Sequence, residues 1–256
     1  LHKFEKGRIL EGYTIILSIA FFARLLSWFF IGKMYEPPFK LREEAAFSFF
    51  EFIGNIKRSN FTKFVFYVAA MNFCVFLAGP FFGVYMLRDL RLGYPVYTLI
   101  TMTATMTILI AMDRWGRKAD LFGNIKVLRT CSLFIPLVPV LWLVSGNVIY
   151  LVAIQIFSGF FWSGFNLAAS NFVYDAVSGP KRTRCFAYFN AINGMAVFMG
   201  SVTGGYIARY MPNIFGYKLL SLFLLSSILR AVVVMSSHAI KEVRPVREGS
   251  LFDLFL

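Results

Sequence analysis

The residues best placed to do chemistry are amides and indoles set within long apolar runs. Gln155, Gly159, Trp162, Asn166 and Ser170 fall at offsets of 0, 4, 7, 11 and 15, which puts them on one face of a helix. Asn72 stands in an earlier apolar run, and Asn190 and Asn193 stand three apart in a later one. An amide in hydrocarbon is unfavourable unless something hydrogen-bonds it. Two readings follow, and both stay open at this point. Asn72, Gln155, Trp162, Asn166 and Asn193 line a central cavity and bind a solute there. Alternatively they bond one helix to another, each contact contributing about 0.6–2 kcal/mol. Thr101 and Thr105 share a face too, but Thr commonly bonds its own helix backbone.

Catalytic and metal chemistry find no support. His2 and His238 lie near opposite ends of the sequence, and Cys74, Cys131 and Cys185 have no paired spacing. No catalytic residue, metal ligand or cofactor is therefore expected, and the chain is not read as an enzyme. No carboxylate lies deep in an apolar run as a proton relay would. Arg24 and Arg230 do lie within such runs, about two turns from their ends, where a long side chain can snorkel toward headgroups. Gly194, Gly200, Gly204 and Gly205 crowd one run; the Gly200-x-x-x-Gly204 spacing suits close helix packing.

The elements that must hold these residues are membrane helices. Of 256 residues, 58% are hydrophobic and 31 are Phe, against 13 acids. The fold class is an all-α polytopic membrane protein with seven transmembrane helices: 12–31, 64–86, 96–112, 127–144, 148–176, 186–207 and 217–235. Each is close to the roughly 17–25 residues a crossing needs. The net charge of +13 reflects loops that meet anionic lipid rather than nucleic acid. The first run is too long, and too poor in a cleavage site, for a signal peptide. The chain begins with Leu, which suggests a fragment.

Orientation follows from the loops. With 113–126 inside, the inside set (33–63, 113–126, 178–184 and the tail from 238) carries 16 Lys and Arg, and the outside set carries 7. The expected topology is N-terminus outside and C-terminus cytoplasmic, in a cell (inner or plasma) membrane. After the first span, Glu36-Pro37-Pro38 stops the helix. Residues 45–58 then form a short amphipathic helix, with Phe49, Phe52, Ile53 and Ile56 on one face. It lies in the membrane interface or packs against protein. Arg24 and Glu36 are twelve apart, as are Arg230 and Glu242 at the last span. Equivalent last helices of this kind are what a duplicated bundle leaves behind.

The hexapeptide Asp113-Arg114-Trp115-Gly116-Arg117-Lys118 joins spans three and four. It resembles the signature loop of the major facilitator superfamily, which recurs after the second helix of each six-helix half. The Gly that usually stands four residues before the acid is Leu109 here. The resemblance implies the second half of that architecture. Residues 1–32 are then the last helix of a missing N-terminal bundle, 33–61 a cytoplasmic linker, 62–237 a six-helix C-terminal bundle and 238–256 a cytoplasmic tail. It implies a secondary active transporter, present as a fragment, moving a small solute by alternating access. Its expected partners are the lipid bilayer, a small-molecule substrate and the missing N-terminal half, with no nucleic acid. In this reading Gly116 makes a sharp turn, and Asp113 accepts from amides that open a neighbouring helix. Arg117 bridges to Asp175. With Arg114 and Lys118 these form a conformational latch on the inside face.

A seven-helix membrane receptor shares the topology and is the alternative. It lacks a lysine deep in the last span for a retinal linkage and an outer cysteine pair. A membrane-embedded enzyme would want clustered His or acids.

Overall fold

The computed structural model describes residues 2–35, 48–54, 59–214 and 216–246, with backbone only for 2–10 and Pro180. The chain divides into two units, Leu1–Arg42 and Glu43–Leu256, and each is described by itself. The first holds α1 (His2–Ile31), whose side chains from Tyr13 to Ile31 are mostly apolar on every side and exposed. A helix of this kind finds its favourable surroundings in lipid or another bundle. Arg24 lies on it, exposed. Glu36, its distant acidic neighbour in sequence, falls outside the described residues.

The second unit is a helical bundle without strands among the described residues, an isolated bridge between Ile214 and Tyr217 apart. It opens with α2 (Phe49–Gly54), started by a reciprocal capping box. Ser48 N donates to Glu51 Oε2 at 2.8 Å, and Glu51 N donates to Ser48 Oγ at 3.2 Å. Of the amphipathic segment expected over 45–58, residues 45–47 and 55–58 lie outside the described ones. The described part packs on protein: Phe49 and Phe52 meet the Tyr188 ring at 5.3 and 5.5 Å, and Phe52 is buried.

The long helices are α3 (Asn60–Val84), α4 (Tyr94–Phe122), α7 (Val148–Ala176), α8 (Gly179–Ile207) and α9 (Lys218–Met235). The pair α5 (Asn124–Phe134) and α6 (Leu137–Leu141) makes one further crossing. With α1, seven helical stretches among the described residues are long and apolar enough to cross a membrane.

Sequence chemistry explains the local shapes. Ser59 caps α3, its Oγ accepting from Thr62 N, and Phe64, Val68, Met71, Cys74 and Ala78 bury one helical stripe. The last turn widens into a π-helical Tyr85–Asp89. Asn147 caps α7 by accepting from Ile149 N and Tyr150 N. Pro136 and Pro139 divide α5 from α6 because neither offers an amide donor. Ile135 O, deprived of a partner four residues on, takes Val138 N at 3.3 Å instead.

Small residues set the closest approaches. A Cβ at Gly200 would lie 2.5 Å from Phe73 O, and one at Gly204 would overlap Leu77 O, so α8 rests on the backbone of α3. Gly194 and Gly205 have no such constraint. An equivalent contact joins α4 to α7, where a Cβ at Gly159 would come within 2.6 Å of Ala104 O. Ser163 Oγ donates to Ile108 O at 2.8 Å in the same seam.

Residues 113–118 do not form a turn, and here the structure corrects the sequence reading. They continue α4 to Phe122, and the chain reverses at Gly123, with φ of +91°. Nothing in the hexapeptide is a strong helix breaker, since a single Gly disfavours a helix by only about 1 kcal/mol. Trp115 adds a reason to stay helical: it is 1% exposed and its Nε1 donates to Phe160 O at 2.8 Å. Gly116 sits against Leu167 with room for a methyl group, the nearest atom 3.7 Å away.

Candidate functional site

Two regions of the second unit gather polar chemistry. One lies at the end where α4 stops, α5 starts and α7 ends. The other is a cavity inside the bundle.

At the first, the chain from Ser236 to Val246 is strapped to the helix ends. Arg129 reaches from α5 to three tail carbonyls, Ser237 O at 3.2 Å, His238 O at 3.4 Å and Ile240 O at 2.5 Å. Asn60 exchanges two hydrogen bonds with the backbone of Lys241, at 2.7 and 2.8 Å. Glu242 Oε2 accepts from Ile125 N at 2.7 Å, satisfying an amide that opens α5 where the helix dipole is positive. Arg244 pairs with Asp175 at 2.7 Å and lies 3.7 Å from Asp120. Asp175, with its side chain 11% exposed, also accepts from Asn124 Nδ2 at 2.7 Å. A groove of about 880 Å³ runs beside the strap, lined by Lys126, Arg129, Leu133 and His238 among others.

This network corrects the expected Asp113–Arg117–Asp175 cluster. Arg117 pairs with Asp113 at 2.5 Å as an i,i+4 pair on α4, both side chains 75% exposed. Asp175 is held by Arg244 instead. The reason is length: the nine helical rises from Asp113 to Phe122 displace the start of α5 by about 14 Å. Asp113 cannot cap that helix, and Glu242 does so. An exposed pair such as Asp113–Arg117 contributes about 0.3–0.5 kcal/mol. The Asp175–Arg244 pair is better shielded on its acidic side. Arg244 and Glu242 carried no motif to mark them, apart from the twelve-residue spacing of Glu242 from Arg230.

The interior cavity measures about 300 Å³. It is bounded by α3, α4, α6, α7 and α9, and Gln155, Ser158, Trp162 and Arg230 are on its wall. Of the five residues expected to line a common cavity, the structure brings Gln155 and Trp162 together here. Asn72 and Asn193 are bonded to each other across α3 and α8, Asn72 Nδ2 donating to Asn193 Oδ1 at 2.7 Å. Asn193 Nδ2 in turn donates to Phe189 O at 2.8 Å, so that pair serves helix-to-helix bonding. Asn166, further along α7, is exposed and is not on the cavity wall, and Ser170 and Asn190 are likewise exposed on their helices. Thr101, on the cavity wall, bonds its own helix at Tyr97 O and Thr98 O.

Arg230 departs most from expectation. It does not snorkel. It is 2% exposed, enclosed by α3, α5 and α9. Its Nε donates to Ser226 Oγ at 3.1 Å, Nη1 to Ile135 O at 3.5 Å and Nη2 to Val75 O at 3.4 Å. Ile135 O is the carbonyl left short of a donor by Pro139. Ser226 Oγ donates to Cys74 O at 2.6 Å and Ser227 Oγ to Pro136 O at 2.5 Å, which align α9 for the purpose. The signal in the sequence was the Ser226-Ser227-x-x-Arg230 run facing two prolines.

A family model described as Major Facilitator Superfamily matches residues 75–251, more than two-thirds of the chain. Searches of curated proteins and of solved structures returned no significant match. The matched segment spans the last ten residues of α3, all of α4 to α9 and the strapped tail, so the cavity wall and, Asn60 apart, the strap and its partners fall within it. On that coverage, and with seven candidate spans in an all-helical chain, this protein belongs to the major facilitator superfamily of membrane transporters.

Proposed function

We propose that the chain carries a small solute across the membrane by alternating access, as a secondary active transporter. The observation that carries this reading is the family match over 75–251, taken with the bundle geometry beneath it. In this reading α3 to α9 form the second six-helix bundle and α1 is the last helix of a preceding one. Support comes from α4 and α8, whose candidate spans are only 11% buried within the chain. Their exposed Leu99, Met102, Met106, Phe198 and Val202 suit an apolar partner, and exposed Asn166 suits a wet boundary between bundles. The smooth contact of Gly200 and Gly204 with α3 suits helices that shift against one another. A latch at the inner rim is assigned to Asp175 with Arg244, and to Asp113 with Arg114, Arg117 and Lys118 on the neighbouring turns of α4.

The proposed orientation puts the start of the chain outside and its end in the cytoplasm. Cys74, Cys131 and Cys185 are buried, so a single added cysteine reports cleanly. Ser145→Cys, in the connection before α7, is expected to react with a membrane-impermeant maleimide added to intact cells. Reaction only in inverted vesicles would reverse the topology. Uptake of radiolabelled solutes by vesicles bearing the full-length protein tests transport itself. A receptor would move none of them and would bind a cytosolic partner on ligand addition.

A further inference from the structure

Among the described residues, no charged side chain other than Arg230 is buried. It lies about 18 Å along α9 from Lys218, deep in the bundle. A guanidinium offers five N–H donors. Three are directed at neutral acceptors, and two of those contacts, at 3.4 and 3.5 Å, exceed the usual 2.7–3.2 Å. Two donors remain, and no carboxylate among the described residues pairs with the cation. An uncompensated charge at this depth is strongly unfavourable, and stability alone would favour an apolar residue there.

The cavity beside it offers what the arginine lacks. Its volume of about 300 Å³ sits at the low end of the roughly 300–1,000 Å³ of small-molecule sites. Phe82, Trp142 and Trp162 give it apolar walls, and Gln155 faces it with an amide that makes no hydrogen bond to protein among the described residues. We propose that this cavity binds an organic monoanion, a carboxylate on a compact apolar or aromatic body. The two spare N–H groups of Arg230 receive the carboxylate as a fork, and the Gln155 amide supplies a further donor. The single positive charge sets the class. A phosphate monoester carries about −1.5 to −2 at neutral pH and would leave net charge against apolar walls. The inference rests on the reading of the chain as a solute carrier and names the chemistry of its cargo.

Trp142 and Trp162 provide the readout. The full chain in lipid nanodiscs is titrated with benzoate and, separately, with its neutral isostere benzamide while tryptophan fluorescence is followed. Benzoate is expected to quench saturably and to bind at least about ten-fold more tightly than benzamide. Arg230→Gln is expected to remove that preference while leaving benzamide binding unchanged, and Arg230→Lys to retain part of it. Gln155→Leu, which leaves the arginine and its packing intact, is expected to weaken benzoate several-fold, so the test survives misfolding of the arginine variants. Absence of saturable benzoate binding, equal binding of the two probes, or a preference unchanged by these variants overturns the inference. The carrier reading is judged separately. Vesicle uptake of neutral or cationic solutes without a benzoate preference leaves it standing, whereas benzoate binding without uptake of any solute removes it alone.

Discussion

Gly204→Leu is expected to prevent the bundle from assembling in its native form. The Cβ alone would overlap Leu77 O, because α8 rests on the α3 backbone at that point, and the remaining three carbons add bulk to that contact. A flexible neighbour could yield, but a carbonyl in a helix cannot move without breaking its ladder. Overpacking in a close-packed interior disfavours the native state by about 1–3 kcal/mol, and backbone collisions fall at or above the top of that range. Gly194→Leu is the control, since nothing stands within 4 Å of its Cβ position. Thermal loss of the monodisperse peak on size-exclusion chromatography in detergent measures both. The Gly204 variant is expected to lose its peak many degrees below the parent, and the Gly194 variant to keep it. Equal behaviour of the two would mean that α3 and α8 are not in backbone contact.

Trp115→Ala carries the second large effect and separates two pictures of the 113–118 segment. If the segment is a helix locked into the core, truncating its 1% exposed indole removes the ring contacts with Phe160 and Phe161 and the bond to Phe160 O. Large-to-small changes of buried Phe or Trp disfavour the fold by about 3–5 kcal/mol. Gly116→Ala in the same helix is expected to be neutral or to stabilise by about 0.5–1 kcal/mol, because a methyl meets Leu167 at ordinary distance. Were the segment a tight turn, the order would invert: Gly116→Ala would be the damaging change. The same melting assay reads both. Gly123, at φ of +91° with the Glu242 carboxylate 2.5 Å from any added Cβ, is the glycine at which the turn is made.

The membrane character of the chain was legible because hydropathy is summed over some twenty residues and survives any local exception. Family membership was legible from a hexapeptide and its place between two spans. The shape of that hexapeptide was not. Helix propensity and a buried tryptophan outweighed one glycine, and the charged residues concealed that Trp115 points inward. Boundaries failed where the polarity of a segment was mistaken for irregular structure, as with the ten residues α4 adds past Met112.

Site residues were less legible, for a different reason. Face periodicity put Gln155 and Trp162 on one side of α7, and both reach the cavity. Asn166 keeps nearly the same angular position on α7, but it stands about 16 Å further along the helix than Gln155, is exposed, and is not on the cavity wall. Asn72 and Asn193 could not be assigned to each other without knowing that α3 and α8 adjoin. Arg230 was misplaced because distance from a span end says nothing about which way a helix face turns. The serines and prolines that receive it lie on two other elements. The strap of Glu242 and Arg244 depended on long-range pairing that no local pattern encodes.

The central claim is that exposed Asn166 on α7 borders a water-filled path opening alternately to each side. Asn166→Cys in the full-length protein, with the native cysteines buried, tests it directly. A membrane-impermeant maleimide is applied to right-side-out and, separately, to inverted vesicles. The account predicts labelling from both sides, each reduced by conditions that hold the protein open to the other. A cysteine unreachable from either side would place Asn166 against lipid and contradict the account.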